Sequence, residues 1–256
     1  MAPLLDLADI RPVLAGAREA VDRALRHSAL RRSGGPLAAE IGLRSAVASA
    51  SLEGRGYGVE AVRAGTVTDP VVQGALRVSV ALEGLASLWP KAPRQVLAKL
   101  HVLAARGCDG VFEEELGRPG GAARAGVAAG VSAEVTARLD ALCELIVSPA
   151  GGVPALLRAA VVHGELLVLR PFAGPNGVVA RAAARLTLIA GGLDPRGLVA
   201  PEIGHLAREP EYVGAALAFS TGTPDGVRAW IKHCAAAVEV AAAELTDLAE
   251  SGQWST

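Results

Sequence analysis

Apolar residues recur every three or four positions along most of this 256-residue chain, and this spacing limits its fold more than any other feature. The spacing matches the 3.6-residue period of an α-helix and not the alternation of a strand. Prolines lie at or near the starts of the periodic segments and glycines follow several of their ends, which is typical of helix boundaries. The segments are residues 13–30, 36–52, 70–89, 93–105, 132–146, 155–169, 178–189 and 226–250. The sequence therefore predicts an all-α fold.

Extended structure is expected in at most one place. Residues 56–59 and 110–112 carry aromatic and β-branched side chains beside glycines, as short strands do. We expect these stretches to form no more than a short β-hairpin flap.

The length and composition allow one large core, since 51% of the residues are hydrophobic. A glycine pair at positions 34 and 35 ends an N-terminal helical segment, residues 1–35. We expect the main domain to cover residues 36–250 and a short tail to cover 251–256.

The charge pattern indicates neither a nucleic acid nor a membrane partner. The formal net charge is −1, and no run of like charges exceeds three residues. Asp6 lies where a signal peptide would carry positive charge, and no stretch of about eighteen residues is both apolar and uncharged. We therefore expect a cytoplasmic protein.

Metal binding is not expected. Cys108, Cys143 and Cys234 are odd in number and widely spaced, so they are interpreted as reduced thiols and not as metal ligands. The acidic run at residues 113–115, with Asp109 nearby, is interpreted as an exposed charged turn.

One segment combines the features of a phosphate-binding loop. It reads Arg170-Pro-Phe-Ala-Gly-Pro-Asn-Gly-Val-Val-Ala-Arg181 and joins two predicted helices. Glycines let a backbone expose its N–H groups, and the start of a helix adds a positive dipole. Both properties favour an anion.

This loop resembles the signature of the Fic (Fido) family, His-Pro-Phe-x-Asp/Glu-Gly-Asn-Gly-Arg-x-x-Arg. Matching residues in the same register are Pro171, Phe172, Asn176, Gly177 and Arg181. The resemblance implies the helical Fic fold and AMP transfer from ATP to protein hydroxyls, with the histidine as base, the acid holding Mg²⁺ and Gly-Asn-Gly holding phosphates. It implies nucleotide-binding roles for Asn176, Gly177 and Arg181.

Four positions depart from the signature, namely Arg170, Gly174, Pro175 and Val178. Arg170 stands for the histidine, and an arginine cannot accept a proton at accessible pH. Gly174 offers no carboxylate to Mg²⁺. Pro175 lacks an N–H and Val178 lacks a guanidinium, so the loop has fewer groups that can bind phosphate. No cofactor is certain, and we expect binding of ATP and Mg²⁺ to be weakened.

A second match lies upstream. Ser49-Ala-Ser-Leu-Glu53-Gly54 fits the pattern Ser/Thr-x-x-x-Glu-Gly/Asn that many Fic proteins carry on an inhibitory helix. The resemblance implies an inhibitory helix over residues 36–54, with Glu53 paired to Arg181 and blocking the ATP γ-phosphate.

Several residues allow two interpretations. His163 could be a displaced base, but a buried structural histidine is favoured. Arg170 could bind an anion, or it could pair with Glu165 or another acid, and neither is preferred. Arg181 could bind phosphate, although a salt bridge to Glu53 is favoured. The glycine-rich stretch 118–124 is interpreted as a mobile flap rather than a P-loop. His205 and His233 are interpreted as ordinary residues.

The functional hypothesis is a Fic-fold pseudoenzyme or regulatory protein that binds a nucleotide or another phosphate compound. One alternative is an active nucleotidyl- or phosphoryl-transferase of altered chemistry, using Arg170, His163 or a residue of a partner. Another is a helical interaction module that binds a protein target or forms a homodimer.

Overall fold

The computed structural model describes residues 1–31, 34–120, 133–149 and 151–252. These residues contain eleven α-helices and three short 3-10 helices, at Ala2–Asp6, Ser28–Arg31 and Glu113–Glu115. The α-helices are α1 (Ile10–Arg26), α2 (Gly34–Ser51), α3 (Val59–Arg63), α4 (Pro70–Ala86), α5 (Pro93–Ala105), α6 (Ala133–Val147), α7 (Ala155–Leu169), α8 (Asn176–Ala190), α9 (Pro201–Ala207), α10 (Glu209–Ser220) and α11 (Pro224–Ser251).

The predicted flap hairpin does not form within the described residues. Val59 begins α3 after Gly58 at its N-cap. Residues 110–112 lead into the 3-10 helix, and the Phe112 N–H donates to the Glu115 carboxylate at 2.9 Å. Turn and capping bonds therefore take the place of strand pairing here. Most of the predicted flap, residues 121–124, lies outside the described residues.

Proline and a capping side chain fix the starts of two long helices. At α4, the Asp69 carboxylate accepts the N–H groups of Val71 and Val72 at 2.9 and 3.2 Å, and Pro70 is the first helical residue. At α11, Thr223 accepts the N–H of Gly226. Both satisfy N–H groups that a helix start leaves unpaired.

Helix α8 lies at the centre of the fold. Every residue from 176 to 188 is buried, including the polar residues Asn176, Arg181, Arg185 and Thr187. Helices α2, α4, α5, α7 and α9 pack around it. Because burial of a polar group is costly without a hydrogen bond, each of these side chains needs a hydrogen-bond partner.

Two apolar clusters flank α8. One joins α1 with α7, α10 and α11, and the other joins α2 to α6 with α7 and α8. The N-terminal helix α1 lies against α11, and its buried face consists of Ile10, Leu14, Ala17, Val21 and Ala24. Helix α1 is thus packed on the same core as the helices that follow it.

Two glycines allow helices to approach at backbone distance. A Cβ on Gly74 of α4 would lie 2.0 Å from the Ala104 carbonyl oxygen of α5. A Cβ on Gly204 of α9 would lie 2.0 Å from the Ala237 carbonyl oxygen of α11. Alanine would not fit at either crossing without movement of a backbone.

All three cysteines are unbonded thiols, of which Cys108 and Cys234 are buried. Burial raises the pKa of each thiol. Among the helices described, none has the length and apolar character needed to cross a membrane.

Candidate functional site

The loop between α7 and α8 is closed by the side chain of Asn176. The amide oxygen of Asn176 accepts the Phe172 N–H at 3.0 Å, and its Nδ2 donates to the Phe172 carbonyl at 2.6 Å. Nδ2 also lies 3.2 Å from the Gly174 carbonyl oxygen. The side chain is buried, so Asn176 fixes the loop backbone and does not face solvent.

His101 on α5 holds the loop from the other side. Its Nδ1 accepts the Gly117 N–H at 2.9 Å, so its Nε2 carries the proton and donates to the Ala173 carbonyl at 2.7 Å. The ring stacks on Phe172 with the centroids 4.5 Å apart. Burial lowers the pKa of His101, which agrees with a neutral ring. Sequence reasoning gave His101 no role in the site; the available signal was a polar residue on the buried face of α5.

Two departures from the Fic signature fit their surroundings. Gly174 has a φ of 78°, and a Cβ there would lie 2.8 Å from Cγ2 of Val111. A carboxylate side chain at this position would strain the backbone and require Val111 to move. Val178 is buried in the cluster around α5 and α7, where an arginine would lose its hydration.

Arg170 occupies the place of the catalytic histidine in the signature. It follows the last residue of α7 in a left-handed conformation, with φ 44° and ψ 59°, and its side chain is exposed. Glu165 instead pairs with Arg138 at 2.8 Å. Of the two interpretations of Arg170, pairing with Glu165 is not found, and Arg170 has no salt bridge to any described residue.

Arg181 joins the two sequence motifs. Its Nε donates to Ser49 Oγ at 2.9 Å, while Nη2 donates to the Ser49 carbonyl and to Glu53 Oε1, both at 2.8 Å. Nη1 lies 3.2 Å from the hydroxyl of Tyr212 on α10. The Arg181 side chain is 2% exposed and that of Glu53 is 22% exposed. The structure thus brings Ser49, Glu53 and Arg181 together.

Gly177 makes room for the Glu53 carboxylate. A Cβ on Gly177 would lie 2.0 Å from Glu53 Oε1 and 2.9 Å from Arg181 Nη1. The carboxylate therefore lies against the first turn of α8, where the helix dipole and the free N–H groups favour a negative charge. Glu53 thus lies against Gly177, one of the residues for which the resemblance implies phosphate binding.

Helices α2 and α8 run antiparallel with contacts spaced by one turn. Ser45 Oγ accepts from Arg185 Nη1 at 2.7 Å, Ser49 bonds to Arg181 one turn away, and Glu53 reaches Gly177 after a further turn. Helix α2 ends at Ser51, and Gly54 is left-handed at φ 79°. The glycine that ends the inhibitory pattern therefore turns the chain directly after Glu53.

Electrostatics keep Arg181 charged. Burial alone would lower its pKa, but the Tyr212 hydroxyl and the Glu53 carboxylate outweigh it and raise the pKa above its ordinary value. One turn along α8, Arg185 lies 4.0 Å from the buried carboxylate of Glu202. Burial raises the pKa of Glu202.

His163 lies on α7, outside the loop, and is linked to Arg181 through the Tyr212 hydroxyl. It is 1% exposed, and its Nε2 is 3.1 Å from the Tyr212 hydroxyl. Burial, with smaller effects of Arg181 and His233, lowers its pKa well below the ordinary value. These contacts agree with the structural interpretation of His163, since a general base must reach a substrate proton.

His205 and His233 belong to one buried cluster with His163. His205 Nδ1 and His233 Nε2 are 2.9 Å apart, and the rings of His163 and His205 are in edge contact at 5.0 Å. Nothing in the sequence indicated that His205 and His233, interpreted as ordinary residues, would contact each other. They are distant in sequence, but α9 and α11 bring them together.

The acidic run and the described part of the flap have structural contacts. Residues 113–115 form the 3-10 helix, and the Gly120 N–H donates to the Pro171 carbonyl at 2.9 Å. Within the described ranges, no three His, Cys, Asp or Glu side chains are placed to hold a metal ion.

Comparison with known proteins gives matches among solved structures. No protein-family model and no curated protein matches the chain. A fragment of Fic-1 from C. elegans matches with a TM-score of 0.73 at 20% identity, covering 98% of this chain and 76% of that chain. A Fic family protein from Desulfovibrio desulfuricans G20 matches with a TM-score of 0.70 at 21% identity, covering 96% and 76%. A glutamate-to-glycine variant of the C. elegans fragment gives 0.69 at 19% identity, covering 98% and 76%. These likenesses show the fold, and they confirm both the all-α prediction and the expected Fic architecture.

Proposed function

We propose that this chain, which has the Fic-domain fold, is a catalytically impaired relative of AMP-transferring proteins whose phosphate site is blocked by its own Glu53. In this proposal it acts as a regulatory protein that binds a nucleotide or another phosphate compound once Glu53 has moved away. The observation that carries the proposal is the Glu53 carboxylate, which lies beside Gly177 and is bound to Arg181 at 2.8 Å.

The loop residues support impaired catalysis. Arg170 cannot act as a base because its guanidinium stays protonated. His101 uses both ring nitrogens in hydrogen bonds, and His163 is buried behind Arg181. The alternative of an active transferase that uses His163 therefore has no support among the contacts of the described residues.

The same residues do not fit a loop-bound Mg²⁺. This ion prefers oxygen ligands, usually one or two carboxylates with phosphate. No acidic residue occurs between positions 170 and 181. Any phosphate affinity of the loop would therefore come from N–H groups, the dipole of α8 and Arg181.

Phosphate binding would require displacement of an internal anion. Glu53 already satisfies one Nη2 donor of Arg181 and uses the space above Gly177. A phosphate in this place must break that bond and leave Glu53 in solvent. The proposal therefore predicts weak ATP binding by the wild type and stronger binding when the Glu53 side chain is removed.

An interaction module is the second candidate. Val213 and Leu217, one turn apart on α10, are 50% and 65% exposed. Exposed apolar pairs of this kind occur at protein contacts. A protein target or a second copy of the chain would be the partner in this case.

The test is calorimetric titration of ATP, with and without Mg²⁺, into the wild type, Glu53→Gly and Glu53→Gln. Glu83→Gly, at an exposed position of α4, serves as the control for a glutamate-to-glycine change. Thermal melting must accompany the titrations, because removal of one partner of a buried ion pair costs about 3–5 kcal/mol, and the partial exposure of Glu53 favours the lower value. Intact mass after incubation with ATP reports self-modification.

We expect heat of binding in Glu53→Gly, less in Glu53→Gln, little in the wild type and Glu83→Gly, and no change in mass. A mass gain that matches AMP would contradict impaired catalysis. Absence of binding in every arm would contradict nucleotide binding and favour the interaction module.

A further inference from the structure

Tyr212 contacts Arg181 although it belongs to neither sequence motif. It comes from α10, and its ring is buried. Its hydroxyl lies 3.2 Å from Nη1 of Arg181, while Nε and Nη2 bind Ser49 and Glu53. Each nitrogen of the guanidinium therefore has an acceptor, and these acceptors come from α2, from Glu53 directly after it and from α10.

The direction of the hydrogen bonds follows from Arg181. An arginine has only donors, so the Tyr212 oxygen must accept from Nη1. The hydroxyl proton of Tyr212 is then available to His163 Nε2, which is 3.1 Å away. This arrangement requires His163 to be neutral, with its own proton on Nδ1. Burial raises the pKa of Tyr212 and lowers that of His163, which agrees with both being neutral.

The packing around His163 leaves its ring little freedom. Trp230 is in edge contact with it at 5.0 Å and donates its own Nε1 proton to the Ala160 carbonyl at 2.7 Å. A Cβ on Gly164 would lie 2.7 Å from the Phe219 ring and 2.8 Å from Trp230 Nε1. Since α7, α10 and α11 meet this closely, the acceptor that orients the Tyr212 hydroxyl is held in place.

We propose that Tyr212 is a positioning residue, whose hydroxyl, oriented by His163, fixes the plane of the Arg181 guanidinium so that Nη2 faces the anion beside Gly177. In the described conformation the anion is the Glu53 carboxylate. The same orientation would serve a bound phosphate only if the proposed function is correct. The positioning of Arg181 by Tyr212 does not depend on that function.

The direct test is ¹⁵N NMR of the arginine and histidine side chains in the wild type, Tyr212→Phe and Tyr57→Phe. Tyr57→Phe is the matched control, because Tyr57 is the other tyrosine of the chain and its side chain is 41% exposed. In the wild type we expect separate signals for Nη1 and Nη2 of Arg181 and the Nδ1–H tautomer of His163. Tyr212→Phe keeps the ring but removes the hydroxyl, so we expect the Arg181 signals to average and the His163 shifts to change. Tyr57→Phe should change neither.

Unchanged Arg181 signals in Tyr212→Phe would overturn the proposal. If that variant does not fold, the wild type alone still decides, because a proton on Nε2 of His163 is incompatible with the arrangement.

A second measurement links Tyr212 to ligand binding. In the Glu53→Gly background, addition of Tyr212→Phe should weaken ATP binding about tenfold or more, the effect of losing a hydrogen bond to a charged group. If Glu53→Gly binds ATP and the added change leaves the affinity the same, the positioning role is refuted. If Glu53→Gly does not bind ATP, the proposed function fails. The NMR measurement then still tests whether Tyr212 positions Arg181.

Discussion

At the scale of the residue, Gly177 determines whether the Glu53 carboxylate can reach α8. Many glycines permit unusual backbone angles, but Gly177 lies inside a helix, and what matters is the missing side chain. The Glu53 oxygen takes the place that a Cβ would occupy. The glycine of the loop signature and the glutamate of the inhibitory pattern are therefore sterically coupled.

We predict that Gly177→Ala expels the Glu53 carboxylate and lowers the free energy of unfolding by about 1–3 kcal/mol, the usual range for overpacking. Urea denaturation measures the change. Glu53→Gln added to Gly177→Ala should then cost less than Glu53→Gln alone, because the contact is already broken. Gly214→Ala, where a Cβ meets nothing within 4 Å, is the control. Additive effects of the two changes would contradict the coupling.

Short motifs could place Ser49, Glu53 and Arg181 in one site, because each lies within a recognisable local pattern. Tyr212 and His101 lie in no such pattern, and helix packing alone brings them to the loop and to Arg181. The contact of His205 with His233 was not predicted, because it depends on the crossing of α9 and α11. The part of the site that sequence reasoning missed is the part made by tertiary contacts.

At the scale of the element, the long helices were predicted well and three shorter ones were missed. Helices α4, α5, α7 and α11 each begin within two residues of the predicted start, because proline and the 3.6-residue pattern agree there. Helices α3, α9 and α10 lie outside the predicted segments. On α10, Val213 and Leu217 are apolar but exposed, so the sequence pattern does not reveal the buried face formed by Tyr212 and Phe219.

Helix α4 allows a direct comparison of two glycines in one element. We predict that Gly74→Ala lowers the free energy of unfolding by about 1–3 kcal/mol, because its Cβ would meet the Ala104 carbonyl of α5. Gly84→Ala meets no atom within 4 Å and should stabilise the helix by up to about 1 kcal/mol. Thermal and urea denaturation report both. Equal effects of the two changes would show that the close crossing of α4 and α5 does not limit side-chain size.

At the scale of the whole molecule, buried histidines make stability depend on pH. Burial lowers the pKa of His101, His163 and His205, and with Arg208 it lowers that of His233 to about 4. An unfolded chain binds protons at these sites from about pH 6.5 downward, which the folded chain resists. Stability contributed by these residues is therefore complete above about pH 6.5 and is lost as the pH falls toward the folded values.

We predict a net fall in the free energy of unfolding between about pH 7 and about pH 4.5, with a slope of up to about 1.4 kcal/mol per pH unit for each proton taken up on unfolding. Asp194 acts in the opposite direction: burial raises its pKa from 3.8 to about 6, so it favours folding as the pH falls through that range. Urea denaturation at several pH values should show a shallower fall for His233→Gln and a steeper one for Asp194→Asn. The same slope in all three proteins would contradict this assignment.

The burial of Arg181 has a consequence for how such a chain can change over generations. A buried guanidinium needs a counter-charge whether or not a reaction takes place, so substitution of Glu53 or Arg181 alone is penalised through the fold. Arg170 is exposed and has no such constraint. Selection for stability is therefore sufficient to retain the Glu53–Arg181 pair, while position 170 is free to drift.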